Sequence, residues 1–275
     1  TGKDLEDYVV EGQLVPYHLI DIVDAGTKYN LFQYQQDFTV AYNDICSRGV
    51  TPVLCGGTGL YIEAVLKGYA LSPVPQNPEL RQSLEGKTLP ELTALLEDLK
   101  KKAGSVMHNV TDVDSCQRAI RAIEIETYNL EHATELRTMP PIDSVIVGLS
   151  VDRDYRRKKI SDRLARRLDG GMVDEIRGLL QRGIPPEDLT YYGLEYKDVT
   201  EYAIGKLSYK EMFRHLDAEW TLEQAVLKIQ RNTRVYAKKQ LTWFAKDQSI
   251  HWLRPDDLDG ALQRIAEGMK QQDSI

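Results

Sequence analysis

The stretch "PVLCGGTGLYIEAVLKG", Pro52 to Gly68, constrains the fold more than any other part of the chain. An apolar run, Pro52-Val53-Leu54-Cys55, feeds into Gly56-Gly57-Thr58-Gly59, and an apolar segment of helical character follows. Strand, glycine turn and helix in that order are the building unit of a parallel α/β sheet, so "VTPVLC" is expected as a short buried strand. Backbone N–H groups and the Thr58 hydroxyl at such a turn can face a ligand at the C-terminal edge of the strands. The lysine of a Walker A loop is missing, as is the G-x-x-x-x-G-K-[ST] spacing. A tight strand-to-helix connection with no ligand is the alternative, and the turn alone leaves both open.

The flanking segments extend the same picture. Residues 14–23, "LVPYHLIDIV", read as an extended apolar segment, and "NLFQYQQDFTVAYNDICSRG" has helical periodicity up to Gly49. The Pro-rich "LSPVPQNP" is an exit from the core. From Glu79 to Leu130 the pattern is helical and charged, with a break at "HNVTDVDS" and Asp114 or Ser115 as N-cap of "CQRAIRAIEIETYNL". "DSVIVGLSVD" is a second buried strand and "SIHWLRP" a last strand. Long helical patterns start at Tyr155 and at Thr221. The organisation expected is core over 1–72, helical insertion over 73–141, core strand over 142–153, helical insertion over 154–231 and return to core over 232–275.

Hydrophobic content of 42% against 28% charged residues describes an ordinary soluble domain with a core. Three cysteines without a C-x-x-C pair indicate neither a zinc site nor a disulfide framework, and a reducing, cytoplasmic setting is expected. Five histidines without H-x-x-x-H spacing exclude a catalytic zinc, and no metal ligands are assigned. No apolar run reaches membrane-span length, and no signal peptide opens the chain.

The net charge of −7 argues weakly against nucleic acid, yet the distribution matters more. Arg153 to Arg167 carries eight Lys/Arg. Arg231, Arg234 and Lys238 stand at i, i+3 and i+7 and share a helix face, with Tyr236, Trp243 and Phe244 interleaved. Such a pattern suits a nucleic acid backbone and unstacked bases, or else a solvated face whose aromatics pack inward. Arg118 and Arg121, one turn apart, can bind phosphate or pair with Glu124 and its neighbours.

Five segments in this order, "VPYHLIDIV", "PVLCGGTGLYIEAVLKGY", "DSCQRAIRAIEI", "GLEYKDV" and "TRVYAKKQLTWF", resemble the tRNA isopentenyltransferase (IPP transferase) family over about Thr1 to Trp243. The resemblance implies an α/β fold with a P-loop NTPase/kinase-like parallel-sheet core and mostly helical insertions for tRNA binding. It implies transfer of a dimethylallyl group from dimethylallyl diphosphate to N6 of the adenosine 3′-adjacent to the anticodon, with Mg²⁺ assisting. Thr58 then lies in the reaction channel as a substrate-positioning residue, with Gly56 and Gly57 as cofactor-side turn residues. Arg81, the run Arg118, Ala119, Ile120, Arg121 and Ala122, and Gln230, Arg231, Asn232, Thr233, Arg234 and Lys238 are expected at the tRNA surface.

Partners implied are the anticodon stem-loop and the diphosphate, with no membrane, and a monomer is expected. Glu195 stands where the family usually has glycine before Tyr196, and Tyr192 where a basic or amide residue is common. The family's P-loop and its general-base aspartate lie upstream of the segment matching Thr1-Gly2-Lys3. Residues 1–275 alone are therefore expected to show no measurable transfer. The alternatives weighed are an adenylate isopentenyltransferase, a P-loop nucleotide kinase and a non-enzymatic RNA-binding module.

Overall fold

The computed structural model describes residues 3–71, 73–104, 113–132, 139–205 and 222–272, without the side chains of 270–272. Most of the break expected at "HNVTDVDS" lies outside them. The chain forms two units, one of residues 1–68 with 141–275 and one of residues 69–140.

In the first unit two short strands, β1 (Val9–Val10) and β2 (Gln13–Leu14), make an antiparallel pair. The rest of "LVPYHLIDIV" is no strand, because Leu19 and Asp21 both take positive φ, outside the extended region. Helix α1 (Leu31–Ser47) starts from a reciprocal cap in which the Asn30 side chain accepts the Gln33 amide at 3.0 Å and the Gln33 side chain accepts the Asn30 amide at 2.9 Å. Its buried Gln35 donates to the Ala64 carbonyl at 3.1 Å, tying it to helix α2 (Gly59–Leu66), whose Ala64 and Val65 are fully buried.

The second sheet is parallel and pairs β3 (Val147–Leu149) with β4 (His251–Leu253), Gly148 opposite Trp252. Both expected strands therefore exist, although Leu149 is 61% exposed, so β3 is not fully buried. "VTPVLC" departs further from expectation. Residues 51–58 are not a strand, and Val53 is 88% exposed. Among the described residues no segment pairs with them, and a strand exists only where a neighbour completes its ladder.

The helical part of this unit holds most of its core. Asp152 caps α6 (Arg153–Asp169) by accepting the amides of Asp154 at 2.9 Å and Tyr155 at 2.8 Å. The single long pattern from Tyr155 divides at Gly170-Gly171, where Gly171 takes φ +87° and α7 (Met172–Gln181) begins. A short helix α8 (Pro186–Leu189), α9 (Leu194–Ala203) and the long α10 (Leu222–Phe244) follow. Leu164, Met172, Ile176, Leu179, Leu189, Val199 and Ile229 form one cluster from all five helices.

The two unusual positions of "YYGLEYKD" have structural work here. The Tyr192 hydroxyl accepts the Gly26 amide at 2.6 Å and donates to the Thr27 carbonyl at 3.0 Å. Glu195 pairs with Arg167 and, at 3.5 Å, with Arg163, which joins α9 to α6. The last helix among the described residues is α11 (Leu258–Gln272). No helix among the described residues is long and apolar enough to cross a membrane.

Among the described residues the second unit contains the helices α3 (Pro78–Leu84), α4 (Leu89–Lys102) and α5 (Cys116–Glu131). Ser115 stands at the N-cap of α5, without a side-chain capping bond. Leu84, Leu92, Leu96, Ala119 and Ile123 make the core. At its edge Glu124, 2% exposed, accepts from Arg81 Nε at 2.7 Å, Arg81 Nη2 at 2.8 Å, Arg121 Nη1 at 3.0 Å and the Asn77 amide at 2.9 Å. Burial pushes this carboxyl up, but the hydrogen bonds from Arg81, the Asn77 amide and Arg121 outweigh it and hold the pKa at about 2.

A folded pKa below the unfolded one gives stability that is present above pH 4.5 and is lost as pH falls through about 2. Glu124→Ala is expected to cost about 3 kcal/mol at pH 7, the lower end for a broken buried pair because both arginines reach solvent. Urea melts of the two proteins at pH 7 and pH 2.5 should show a gap that narrows in acid.

Candidate functional site

Helix α10 organises the site through two opposite faces. Ala225, Ile229, Asn232, Tyr236, Gln240 and Trp243 recur every three or four residues and lie along one face. The first half of that face packs on α9. There Lys228, beside it, pairs with Glu201 and, at 3.0 Å, with Asp198, while Asn232 Nδ2 donates to Asp198 at 3.0 Å. Burial disfavours the charged Lys228, but the bonds to Glu201 and Asp198 exceed that cost and hold its ammonium above the ordinary lysine range.

The second half of the same face lies on the glycine turn. Gln240 Nε2 donates to the Gly57 carbonyl at 2.6 Å, and a Cβ on Gly57 would sit 2.7 Å from that nitrogen. A Cβ on Gly59 would overlap the Trp243 ring. Two of the glycines thus have a packing reason that needs no ligand, while Gly56 faces Ile62 at ordinary contact distance. Thr58 is different. It occupies the N-cap position of α2 yet makes no capping hydrogen bond, and its exposed hydroxyl lies 3.4 Å from the Tyr236 hydroxyl. A threonine here normally satisfies a helix amide, so this hydroxyl and that of Tyr236 are left facing solvent together.

The opposite face of α10 is basic. Arg231, Arg234 and Lys238 are exposed, as their spacing predicts, and none has an ion-pair partner among the described residues. Because α6 packs beside α10, Arg153, Arg156 and Arg157 join Arg234, Val235 and Lys238 around a groove of about 480 Å³. The two basic segments of the sequence are thus one surface. Gln230, Asn232 and Thr233 do not share it: they are half-buried, and Asn232 faces α9. Five consecutive helical residues point all round the helix, so a motif run cannot be a single contact surface.

In the unit of residues 69–140, Arg81 and Arg121 serve Glu124, and Arg121 Nη2 also donates to the Val74 carbonyl at 2.8 Å. Arg118 pairs with Asp114 at 2.7 Å, Ala119 is fully buried in the core, and Ile120 and Ala122 are half-buried. Of that run only the two arginines carry charge, and each is partly engaged. Arg156, Arg157 and Gln240 were not singled out from the sequence. The charge of α6 was visible, but which of its eight cations meet α10 depends on helix packing.

Among the described residues no group of three His, Cys, Asp or Glu side chains has the arrangement of a metal site. The described residues thus offer no such cluster to Mg²⁺.

A small parallel sheet, a glycine turn held under a long helix and a basic groove on that helix's far side define a helix-rich α/β protein with an anion-attracting surface. The chain belongs to the IPP transferase family, which matches residues 7–247. It is 53% identical over 257 residues to tRNA dimethylallyltransferase 2 of Bacteroides fragilis, covering 92% of this chain and 78% of that protein. It is 41% identical to tRNA dimethylallyltransferase 1 of Geotalea daltonii, covering 98% of this chain and 80% of that protein.

Among solved structures, the tRNA isopentenylpyrophosphate transferase of Bacillus halodurans superposes with a TM-score of 0.59 at 29% identity, over 94% of this chain and 81% of that one. A eukaryotic dimethylallyltransferase acting on tRNA superposes with a TM-score of 0.60 over 92% of this chain and 63% of that one; at 18% identity it shows the fold alone.

Gly59→Ala tests the fit of turn to helix. Overpacking of this kind costs about 1–3 kcal/mol, and Gly59→Ala combined with Trp243→Leu should recover much of the loss in thermal melts. Equal destabilisation in single and double variants would separate the turn from Trp243.

Proposed function

We propose that this chain is a tRNA dimethylallyltransferase, moving a dimethylallyl group from dimethylallyl diphosphate to N6 of the adenosine 3′-adjacent to the anticodon. The observation that carries the reading is membership of the family over residues 7–247, which takes in the glycine turn and both basic helices. The finer parts of the reading are a P-loop kinase-like core, the anticodon stem-loop as the tRNA region gripped, and a monomer working in the cytoplasm. Mg²⁺, where used, enters with the diphosphate oxygens in place of a protein cage, as is common for that ion, and no step below runs through it.

The reaction breaks the allylic C–O bond to diphosphate, forms a C–N6 bond and releases the N6 proton. A base stacked in the anticodon loop cannot reach this geometry and must be turned out of the stack. Thr58 and Tyr236 suit the task of holding it. Their hydroxyls sit together at 3.4 Å, exposed, and are supported from below by the Gln240 bond to Gly57. Each can donate to or accept from the edge of an adenine while that bond keeps the turn rigid.

Incubating the complete protein with dimethylallyl diphosphate, Mg²⁺ and unmodified tRNA, with AMP as a rival acceptor, should yield dimethylallyl-adenosine in the tRNA. Product on AMP alone would overturn the reading in favour of an adenylate enzyme. Thr58→Val is expected to lower turnover about three- to tenfold, the worth of one neutral hydrogen bond, with little change in the KM for dimethylallyl diphosphate. A change confined to that KM would place the turn at the diphosphate.

A further inference from the structure

We infer that Tyr192 is a positioning residue for the reaction: its hydroxyl closes a ring of contacts that fixes Thr58 against Tyr236, a role that rests on the function proposed above. The segment it holds is the first ground. Residues 24–27 form a β-turn, in which the Thr27 amide donates to the Asp24 carbonyl at 3.1 Å and Gly26 takes φ +97°. Such a turn uses only its first carbonyl and its last amide, so the Gly26 amide needs a partner from outside. The Tyr192 hydroxyl accepts that amide at 2.6 Å and donates to the Thr27 carbonyl at 3.0 Å. One O–H thus serves two backbone groups, and a phenylalanine ring could serve neither. Beside it the Tyr191 hydroxyl donates to the Tyr29 carbonyl at 2.6 Å, and Lys28 pairs with Asp188 at 3.2 Å.

Where the turn leads is the second ground. Tyr29 and Asn30 carry the chain straight into α1: the Tyr29 hydroxyl donates to Asp37 at 2.7 Å, and Asn30 caps the helix. Helix α1 in turn holds α2. Gln35 donates to the Ala64 carbonyl, and the Tyr34 and Tyr61 rings meet with centroids 4.9 Å apart. Tyr61 stands in the first turn of α2, with its amide on the Thr58 carbonyl at 3.0 Å. Four links therefore join the Tyr192 hydroxyl to Thr58.

The third ground is that the links close on themselves. The Tyr192 ring packs on the cluster that contains Val199 and Ile229 and meets Tyr196 edge-on at 6.1 Å, so it moves with α9 and α10. Contacts run from α10 through α9, Tyr192, the turn, α1 and α2, and they return to α10 where Thr58 meets Tyr236. Among the described residues, 51–57 give α2 no strand to hang on. With the Tyr192 bonds removed, α2 keeps its tie to Gln240 and Trp243 on one side and loses the constraint on the other. Two hydroxyls that must meet one base edge are sensitive to this, since a misplacement of about 1 Å can cost on the order of a hundredfold in rate.

The test is steady-state transfer by the complete protein carrying Tyr192→Phe, Thr58→Val or both, on whichever acceptor the wild type prenylates. Tyr192→Phe keeps the ring and its packing. It is expected to lower kcat about three- to tenfold, the effect of losing a neutral hydrogen bond, with the KM for dimethylallyl diphosphate little changed. In the Thr58→Val background the same change should lower kcat by less than about twofold, because residues that act as a unit are not additive. Wild-type kcat in Tyr192→Phe overturns the inference. So does an equal loss in both backgrounds, the mark of a general weakening of the fold. Hydrogen exchange gives a reading independent of turnover: Tyr192→Phe should speed exchange at residues 58–66 as well as at 24–30, and a change confined to 24–30 breaks the ring. Transfer to AMP alone by the wild type sinks the function proposed above, and the same cycle run on AMP still judges Tyr192.

Discussion

Helix α10 can lie where it does because Gly59 has no side chain. Its Trp243 ring occupies the space beside Gly59, where a Cβ would overlap it, and its Gln240 reaches the Gly57 carbonyl, where a Cβ would displace only the end of that side chain. The other end of the same face is fixed by the buried set of Lys228, Asp198, Glu201 and Asn232. Two anchors on one face of a 23-residue helix fix its rotation about its own axis as well as its place. That rotation decides everything the site offers: it puts Tyr236 over Thr58 and turns Arg234 and Lys238 toward the start of α6. A rotation by one residue, roughly 100°, would undo both at once.

The buried carboxylate of Glu124 plays a comparable part in the unit of residues 69–140. Two arginines that a motif reading assigns to RNA are held on it, with the Asn77 amide as a further donor. A single residue thereby orients the start of α3 and the middle of α5. Arg81 and Arg121 still reach solvent, so the network sets their direction and leaves part of each guanidinium exposed. An arginine held in place loses less side-chain freedom on binding than a free one.

Much of the helical structure is legible in local chemistry. The Asn30 cap and the stop at Gly49 bound α1, and the apolar period after Gly59 gives α2, because these signals act within a few residues. The parallel pairing of "VIVGL" with "IHWL" is legible as two strands but not as partners. The pairing of "VTPVLC" is not legible at all, since ladder formation depends on what lies alongside. The division at Gly170-Gly171 was written in the sequence as a double glycine and was hidden by the charge pattern running through it. For the site, spacing correctly grouped Arg231, Arg234 and Lys238, a property of one helix. The junction of α6 with α10 and the Thr58–Tyr236 pair join residues 81 and 178 positions apart, and no periodicity carries that information.

The acidic total of the chain is no obstacle to an RNA-binding role, and the reason is distance. At physiological ionic strength the screening length is about 8 Å, so carboxylates elsewhere on the molecule contribute little to the potential inside the groove. Five cations line it, and the carboxylate paired with one of them, Asp154, is exposed to water. A net charge of −7 then repels nucleic acid weakly everywhere except where the groove overrides it. A uniformly basic protein would hold any RNA anywhere along its length; an acidic one with a single concentrated positive surface holds it in one register. On the proposed reading register matters, because the base to be modified must arrive at Thr58. The acidity of the remainder adds to this selectivity by making the rest of the surface a poor place for a polyanion.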